Sequence, residues 1–354
     1  MRTKVTTLVL LLCLVGTCDS LATTLSSDNM LILAGGNFSA ESKVTIKGNI
    51  GAVGTVSMAM HSTISGDAYS QGNFSIDQKA TVGGRIVSSG DVWVGKHSVL
   101  GGIDGWGNVR IGQQTTVNGD VLSGKVATID KMSVIHGDVE YGTSYQPGMK
   151  VTVDGSVRND TSDLDVWSAK LNKAPTAWTS STNSISYDSG MDQILAPGTY
   201  GDVAIKDGSI LRLAAGTYNI SSMWLGNSAQ LLADTRSGNV VINVVKGLST
   251  GSSAVLDSGD VNSLIINSNS SIDLGTGTVS EANLSSFGGS ISVADDSTVH
   301  GRLFATGDVC LGSGVLVDGA TAVSSSSTVP EPGTALILLV GGALAMRRRA
   351  KYAA

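Results

Sequence analysis

Residues 36–86 read GNFSAESKVTIKGNIGAVGTVSMAMHSTISGDAYSQGNFSIDQKATVGGRI, with glycine at regular intervals. Gly36, Gly54 and Gly72 recur at one even spacing, and Gly48, Gly66 and Gly84 follow them at the same spacing, offset by two thirds of a repeat. Outward from this stretch the first series continues through Gly90, Gly107, Gly124 and Gly142. The second continues through Gly101, Gly119, Gly137 and Gly155, and no step in either series differs from another by more than one position. Seven repeats in register mark a chain that coils on itself.

Alignment on the glycines exposes apolar columns. Two residues before the second glycine stand Ile46, Ile64, Val82, Val99, Val117, Ile135 and Val153; two after it stand Ile50, Ala68, Ile86, Ile103, Val121, Val139 and Val157. Two after the first glycine come Phe38, Val56, Phe74, Val92, Val109 and Val126, followed at the next alternate position by Ala40, Met58, Ile76, Val94 and Ile111. Mostly polar residues lie between them, which is the period of a half-buried strand. Each repeat therefore carries three short strands. None can bury a face alone, so each stacks on its counterpart one repeat later, in parallel ladders about 4.8 Å apart around an apolar tube. The expected class is all-β, a parallel β-helix. Its corner glycines are expected to supply backbone angles that other residues resist.

The pattern divides the chain. Residues 23–157 form the regular stack. In 196–322 a looser one returns, where Gly289, Gly301, Gly307 and Gly319 keep the glycine spacings of the first, and Ile291, Val293, Val299, Val309, Leu311 and Val317 fall on the inward columns. Between them, 158–195 breaks the repeat. Leu164, Trp167 and Leu171 at helical spacing behind Ser162 and Asp165 predict one short helix and then a loop, plugging the seam between the stacks. Residues 323–332, VSSSSTVPEP, read as a linker.

Composition agrees. Forty-five glycines, five prolines and 5% aromatic residues in 354 suit short strands and tight turns. Without a three-residue glycine period the chain is not collagen, and 41% hydrophobic residues exclude wholesale disorder. Residues 1–22 read as a signal peptide: Arg2 and Lys4, the apolar VTTLVLLLCLVG, then Ser20 and Ala22 for cleavage. A lipoprotein signal acylated at Cys18 is the rival reading. Cleavage after Ala22 leaves Cys310 as the one cysteine, so no internal disulfide framework forms. Residues 23–346 hold 17 basic against 28 acidic residues, a balance that argues against nucleic acid or anionic lipid as partners.

The chain ends in a layout with a specific resemblance. Val329-Pro330-Glu331-Pro332, an apolar run from Thr334 to Met346 and Arg347-Arg348-Arg349 resemble the PEP-CTERM sorting signal of Gram-negative bacteria, with 333–354 as the sorting tail. Thirteen residues as a helix span about 20 Å, short of the roughly 30 Å hydrocarbon core. The arginines favour the cytoplasmic side. The resemblance implies passage through the inner membrane, transient anchoring and cleavage by an exosortase-type membrane protease, leaving the protein extracellular or at the cell surface. The repeat of 36–157, V-x-G-D-V with a glycine six residues on, resembles bactofilin-like polymer-forming β-helices. That resemblance implies a right-handed coil and end-to-end self-association.

Chemistry-bearing residues are sparse. His61, His97, His136 and His300 form no metal-ligand spacing, and no cofactor motif appears. Asp67, Asp91, Asp120 and Asp138 follow corner glycines. Glycoside hydrolysis would need two carboxylates at matched separation, whereas aspartate at a corner is a turn former. Thr45, Thr63, Thr81, Ser98, Thr116, Val134 and Thr152 alternate with an inward column and are expected to face out. Such a hydroxyl ladder suits a glycan chain or ordered water, as on β-helical ice-binding proteins, although threonine is also a favoured strand residue. Trp93, outward by the same alternation, suits stacking on a sugar. Cys310 also falls outward. The function expected is a non-enzymatic structural or interaction protein of the cell surface or exopolysaccharide matrix. The alternative is a carbohydrate-binding module or adhesin using the threonine face, and a polysaccharide lyase or hydrolase is the third reading.

Overall fold

The structure, a computed structural model, describes residues 22–23, 29–169, 178–260 and 262–319. The signal segment up to Leu21, the 323–332 linker and the 333–354 tail lie outside the described residues. The chain is a parallel β-solenoid. Face I is a fourteen-stranded parallel sheet with one strand from each turn, so at about 4.8 Å per rung it is roughly 60 Å long. Face II holds Thr45–Lys47 and its counterparts, and face III holds Ile32–Ala34 and Ile50–Ala52 with theirs. The two join where Thr81–Ser88 and Val99–Gly105 run round a corner. The core is the predicted tube: Phe38, Ile46, Ile50, Ile64, Phe74 and Ile86 are all at most 1% exposed.

The rungs are not stacked in chain order. Ile32–Ala34 pairs on one side with Ile50–Ala52 and on the other with Leu303–Ala305. Phe38–Ala40 likewise pairs with Val309–Leu311, and Thr45–Lys47 with Leu316–Asp318. The first coil therefore sits in the middle. From it the chain winds out to Val157–Arg158, and a second winding, beginning at Ile185 rather than at 196, returns to meet the first coil. Direct strand pairing closes the seam, where an inserted plug was expected.

The connecting segment differs from expectation too. Residues 158–169 hold no helix, and Leu171 lies outside the described residues. Val166–Trp167 is extended and pairs with Ala22–Thr23. Leu164 and Trp167 do bury, at 3% and 2% exposure, and Trp167 does so against face III. Trp167 lies over Gly51, where a Cβ would stand 2.8 Å from the indole, and closes a small second core with Met30, Leu33 and Val87. Helical spacing and a strap with two inward side chains share the same i, i+3 pattern.

Glycine's role is also different. Neither repeat series has positive φ in the regular stack; the left-handed corner between faces I and II is occupied instead by Lys43, His61, Lys79, His97, Gln114, Met132 and Lys150, with φ of 57–63°. The repeat glycines provide room. A Cβ on Gly54 would lie 2.8 Å from the Gly36 carbonyl oxygen of the rung beneath, and one on Gly66 2.8 Å from that of Gly48.

Two columns are out of register by one. Val99 pairs with Thr81 and faces out, whereas Leu100 pairs with Val82 and faces in. Ser98 is therefore not on the outward ladder: it is 1% exposed, and its Oγ donates to the Asp77 carbonyl at 3.4 Å. Likewise Ala127, not Val126, continues the Val109 column. Only the first shift comes from a shorter coil. Leu100 to Ile103 spans one residue fewer than Val82 to Ile86, so the missing residue comes out of the corner between faces II and III. Val109 to Ala127 is a full step, and there Gly124 stands over Trp106 rather than over Gly107. The strands keep a constant step from Val94 to Val99 and from Ile111 to Thr116.

Candidate interaction surfaces

Face III is occupied by the connecting segment. Arg85 joins Asp104 (Nη2–Oδ1 2.6 Å) to Asp165 (Nη1–Oδ2 2.9 Å), and Trp106 Nε1 donates to the Asp165 carbonyl at 2.8 Å. Asp104 is fully buried. Burial pushes its carboxyl up to about 7, against the Arg85 guanidinium, which pulls it down. Further along, Glu140 pairs with Arg158, which also reaches Asp138 at 2.9 Å. On the other side of the seam Asn219, Asn243 and Asn267 form an amide ladder, in which Asn243 Nδ2 donates to Asn219 Oδ1 and Asn267 Nδ2 to Asn243 Oδ1, both at 3.0 Å. Of these, the sequence pointed only to Asp138, as a corner aspartate, and to Asp165, as part of a helix start. A charged Asp104 inside an otherwise uncharged strand was the available signal.

The corner aspartates serve the backbone. Asp67 Oδ1 accepts from the Arg85 amide at 2.8 Å, Asp91 Oδ1 from Asn108 at 2.7 Å, Asp120 Oδ1 from Asp138 at 2.8 Å, and Asp138 Oδ1 from Ser156 at 2.7 Å. The Ser156 amide holds the Asp138 carboxyl below the usual range. Asp308 extends this ladder across the seam, accepting from the Asn37 amide at 2.6 Å. Each carboxylate ties one rung to the next, a role between coils rather than the local turn formation expected. His136 bonds Asp154 at 2.7 Å and His300 bonds Asp318, while His61 and His97 stand exposed on the left-handed corner.

Face II carries Thr45, Thr63 and Thr81 in adjacent register, then Val99, Thr116, Val134 and Thr152. Beyond the seam the column passes to Leu316, Thr298 and Val279, so the hydroxyl ladder is interrupted in both directions.

Trp93 belongs to a different face. It lies in the outward column of face I, 59% exposed, between Arg110 and Ser75. Beyond Ser75 the column runs Ser57, Ser39, Cys310 and Ser292, then Asp273, Ser249 and a second exposed tryptophan, Trp224. Eight rungs separate the two indoles, about 38 Å. Trp93 borders a depression on either side. One, of about 690 Å³, lies over Ser39, Ser57 and Ser75 and is edged by Glu41 and Asp77. The other, of about 280 Å³, is lined by Lys96, Arg110, Asp77 and Asp130. The threonines and Trp93 are therefore not brought together. Cys310 is exposed, as expected from its place on the face.

No family model and no curated protein matches the chain. Among solved structures it is similar to an ice-binding protein from an Antarctic bacterium of the Flavobacteriaceae, at 11% identity and a TM-score of 0.28, over 81% of this chain and 96% of that one.

Proposed function

We propose that this protein is an exported, non-enzymatic interaction protein of the cell surface or exopolysaccharide matrix, delivered by its C-terminal tail and released by an exosortase-type protease. The observation that carries the reading is the tail itself, the Pro-Glu-Pro, short apolar run and triple arginine of 330–349, in a chain that opens with a signal-like segment. The body suits such a role. Its regular rungs hold long, flat faces rigidly, and face I lies open over fourteen strands. Among the described residues no helix is long and apolar enough to cross a membrane.

Processing is the decisive test. Glu331→Ala with Pro332→Ala leaves a full-length, membrane-bound precursor in the native host, whereas the native chain loses about 20 residues and appears in the medium or matrix. Mass spectrometry of the mature C-terminus reads the difference. A mature protein that still ends MRRRAKYAA refutes the reading.

A further inference from the structure

We infer that the trough of face I around Trp93 binds a neutral polysaccharide chain running along the solenoid axis, with one sugar ring stacked on the indole. The inference rests on the reading of the chain as a surface or matrix protein, and it names the place of contact.

Trp93 contributes nothing to the core, yet a large amphipathic ring is displayed at 59% exposure on a rigid strand. A flat aromatic face flanked by convergent polar groups suits a sugar, which offers C–H bonds on its ring face and hydroxyls at its edge. The depressions on both sides let a chain pass over the indole rather than end there. Their polar groups are available. The Ser57 and Ser75 hydroxyls and the Lys96 ammonium make no hydrogen bond among the described residues, and the Asp77 carboxylate spends one oxygen on the Gln78 amide at 2.7 Å. Sugar hydroxyls both donate and accept, so they satisfy the ammonium, the carboxylate and the serines alike.

Charge decides between neutral and acidic polymers. Beside Trp93, Lys96 and Arg110 are balanced by Asp77 and by Asp130, which lies 3.8 Å from the Arg110 guanidinium. Residues 23–346 together carry an excess of 11 negative charges, a field that repels a polyanion. The axial direction follows from Trp224, which stands on the same outward column with 44% exposure, where a long chain reaches a second platform. Among the described residues the face II strands carry threonines but no phenylalanine, tyrosine or tryptophan.

Affinity electrophoresis of the secreted protein through gels containing hydroxyethylcellulose, galactomannan or polygalacturonate tests this. The expected result is retardation by a neutral polymer. Trp93→Ala weakens it at least about tenfold, Trp93→Phe retains most of it, and Thr63→Ala with Thr81→Ala leaves it unchanged. Because Trp93 faces solvent, its variants keep the native melting temperature, so lost retardation is not lost folding. The inference is overturned if neither neutral polymer retards the protein, if polygalacturonate alone does, or if Trp93→Ala runs like the native chain. Retardation independent of Trp93 rejects the trough and leaves the surface reading standing. An uncleaved tail rejects the proposed processing whatever the gels show.

Discussion

The shorter coil at 94–111 offers a sharp test of how side chains are assigned to the core. Counting back from Gly101 puts Val99 inside and Ser98 outside. In the structure Leu100 is fully buried between Val82 and Val117, and Val99 is 43% exposed. Leu100→Ala removes three carbons, about 2.4 kcal/mol of transfer free energy at roughly 0.8 per methylene. A cavity term adds to this because the neighbours are pinned by ladders above and below, and the total falls in the range of about 2–5 kcal/mol for buried leucine truncations. For a chain of this size each kcal/mol lowers the melting temperature by about 1.5–2 °C, so the expected drop is roughly 3–10 °C. Val99→Ala trims a half-exposed side chain and costs less than about 1 kcal/mol, or under about 2 °C. Differential scanning calorimetry of the two variants beside the native protein reads both. A Val99→Ala drop equal to or larger than that of Leu100→Ala would refute the register.

Two further outcomes follow from the geometry. Asp104 has a folded-state carboxyl raised to about 7, so burying it favours the folded state while it is protonated, and that advantage is lost as pH rises from about 4 through 7. The melting temperature of the native chain minus that of Asp104→Asn therefore falls over this window; a flat or rising difference contradicts the assignment. Gly66→Ala places a Cβ 2.8 Å from the Gly48 carbonyl oxygen and costs about 1–3 kcal/mol by overpacking, read by urea denaturation, and a neutral outcome removes close approach as the reason for the glycine.

Much of the coil was legible because its physics is local. A strand with one buried face alternates with period two, and stacking forces the same residue type onto each rung, so Ile46, Ile64 and Val82 identify themselves by repetition alone. The register slips where the glycines move relative to the strands. One coil loses a residue at the corner between Leu100 and Ile103, which moves Ser98 off the outward ladder. In a later coil of full length Gly124 stands over Trp106 rather than Gly107, which puts Ala127 in the column in place of Val126. The left-handed corner was invisible because lysine and histidine occupy it where glycine would be the cheaper residue. The wiring was not legible at all. Thr45 pairs equally well with Thr63, one coil further along, and with Leu316, near the opposite end of the chain, and nothing local separates a rung that ends a stack from one that joins two. For the candidate site, alternation placed Trp93 outward correctly but could not tell that the threonines occupy another face.

The mid-chain start has a mechanical consequence that can be measured. The two windings touch through three parallel strand pairs at the seam, reinforced by the Thr45 amide donating to the Val315 carbonyl at 2.8 Å, Leu303 to Leu31 at 2.9 Å and Val309 to Asn37 at 2.9 Å. Phe38, Ile46 and Ile32 bury their side chains where Val309, Val317 and Leu303 do, so the apolar tube is continuous across the join. The covalent link between the windings adds to this contact through Phe304 of the second winding, which packs against the small core that Trp167 closes with Met30, Leu33 and Val87. On its way out of the first winding it packs on that winding, through Trp167 over Gly51 and Asp165 on Arg85; at its far end Trp178 meets Phe287 of the second, ring centroids 6.1 Å apart. Each half keeps its own part of the strap if the chain is cut between them. A protease site inserted within 170–177 and cleaved in native buffer should therefore give two bands on a denaturing gel but one particle of unchanged size by gel filtration. Ile46→Asp, which buries an unpaired carboxylate beside Val317 at a cost of several kcal/mol, should then let the cleaved halves separate. Two peaks from the cleaved native sequence would mean that the seam does not hold the windings together, and that the covalent link does.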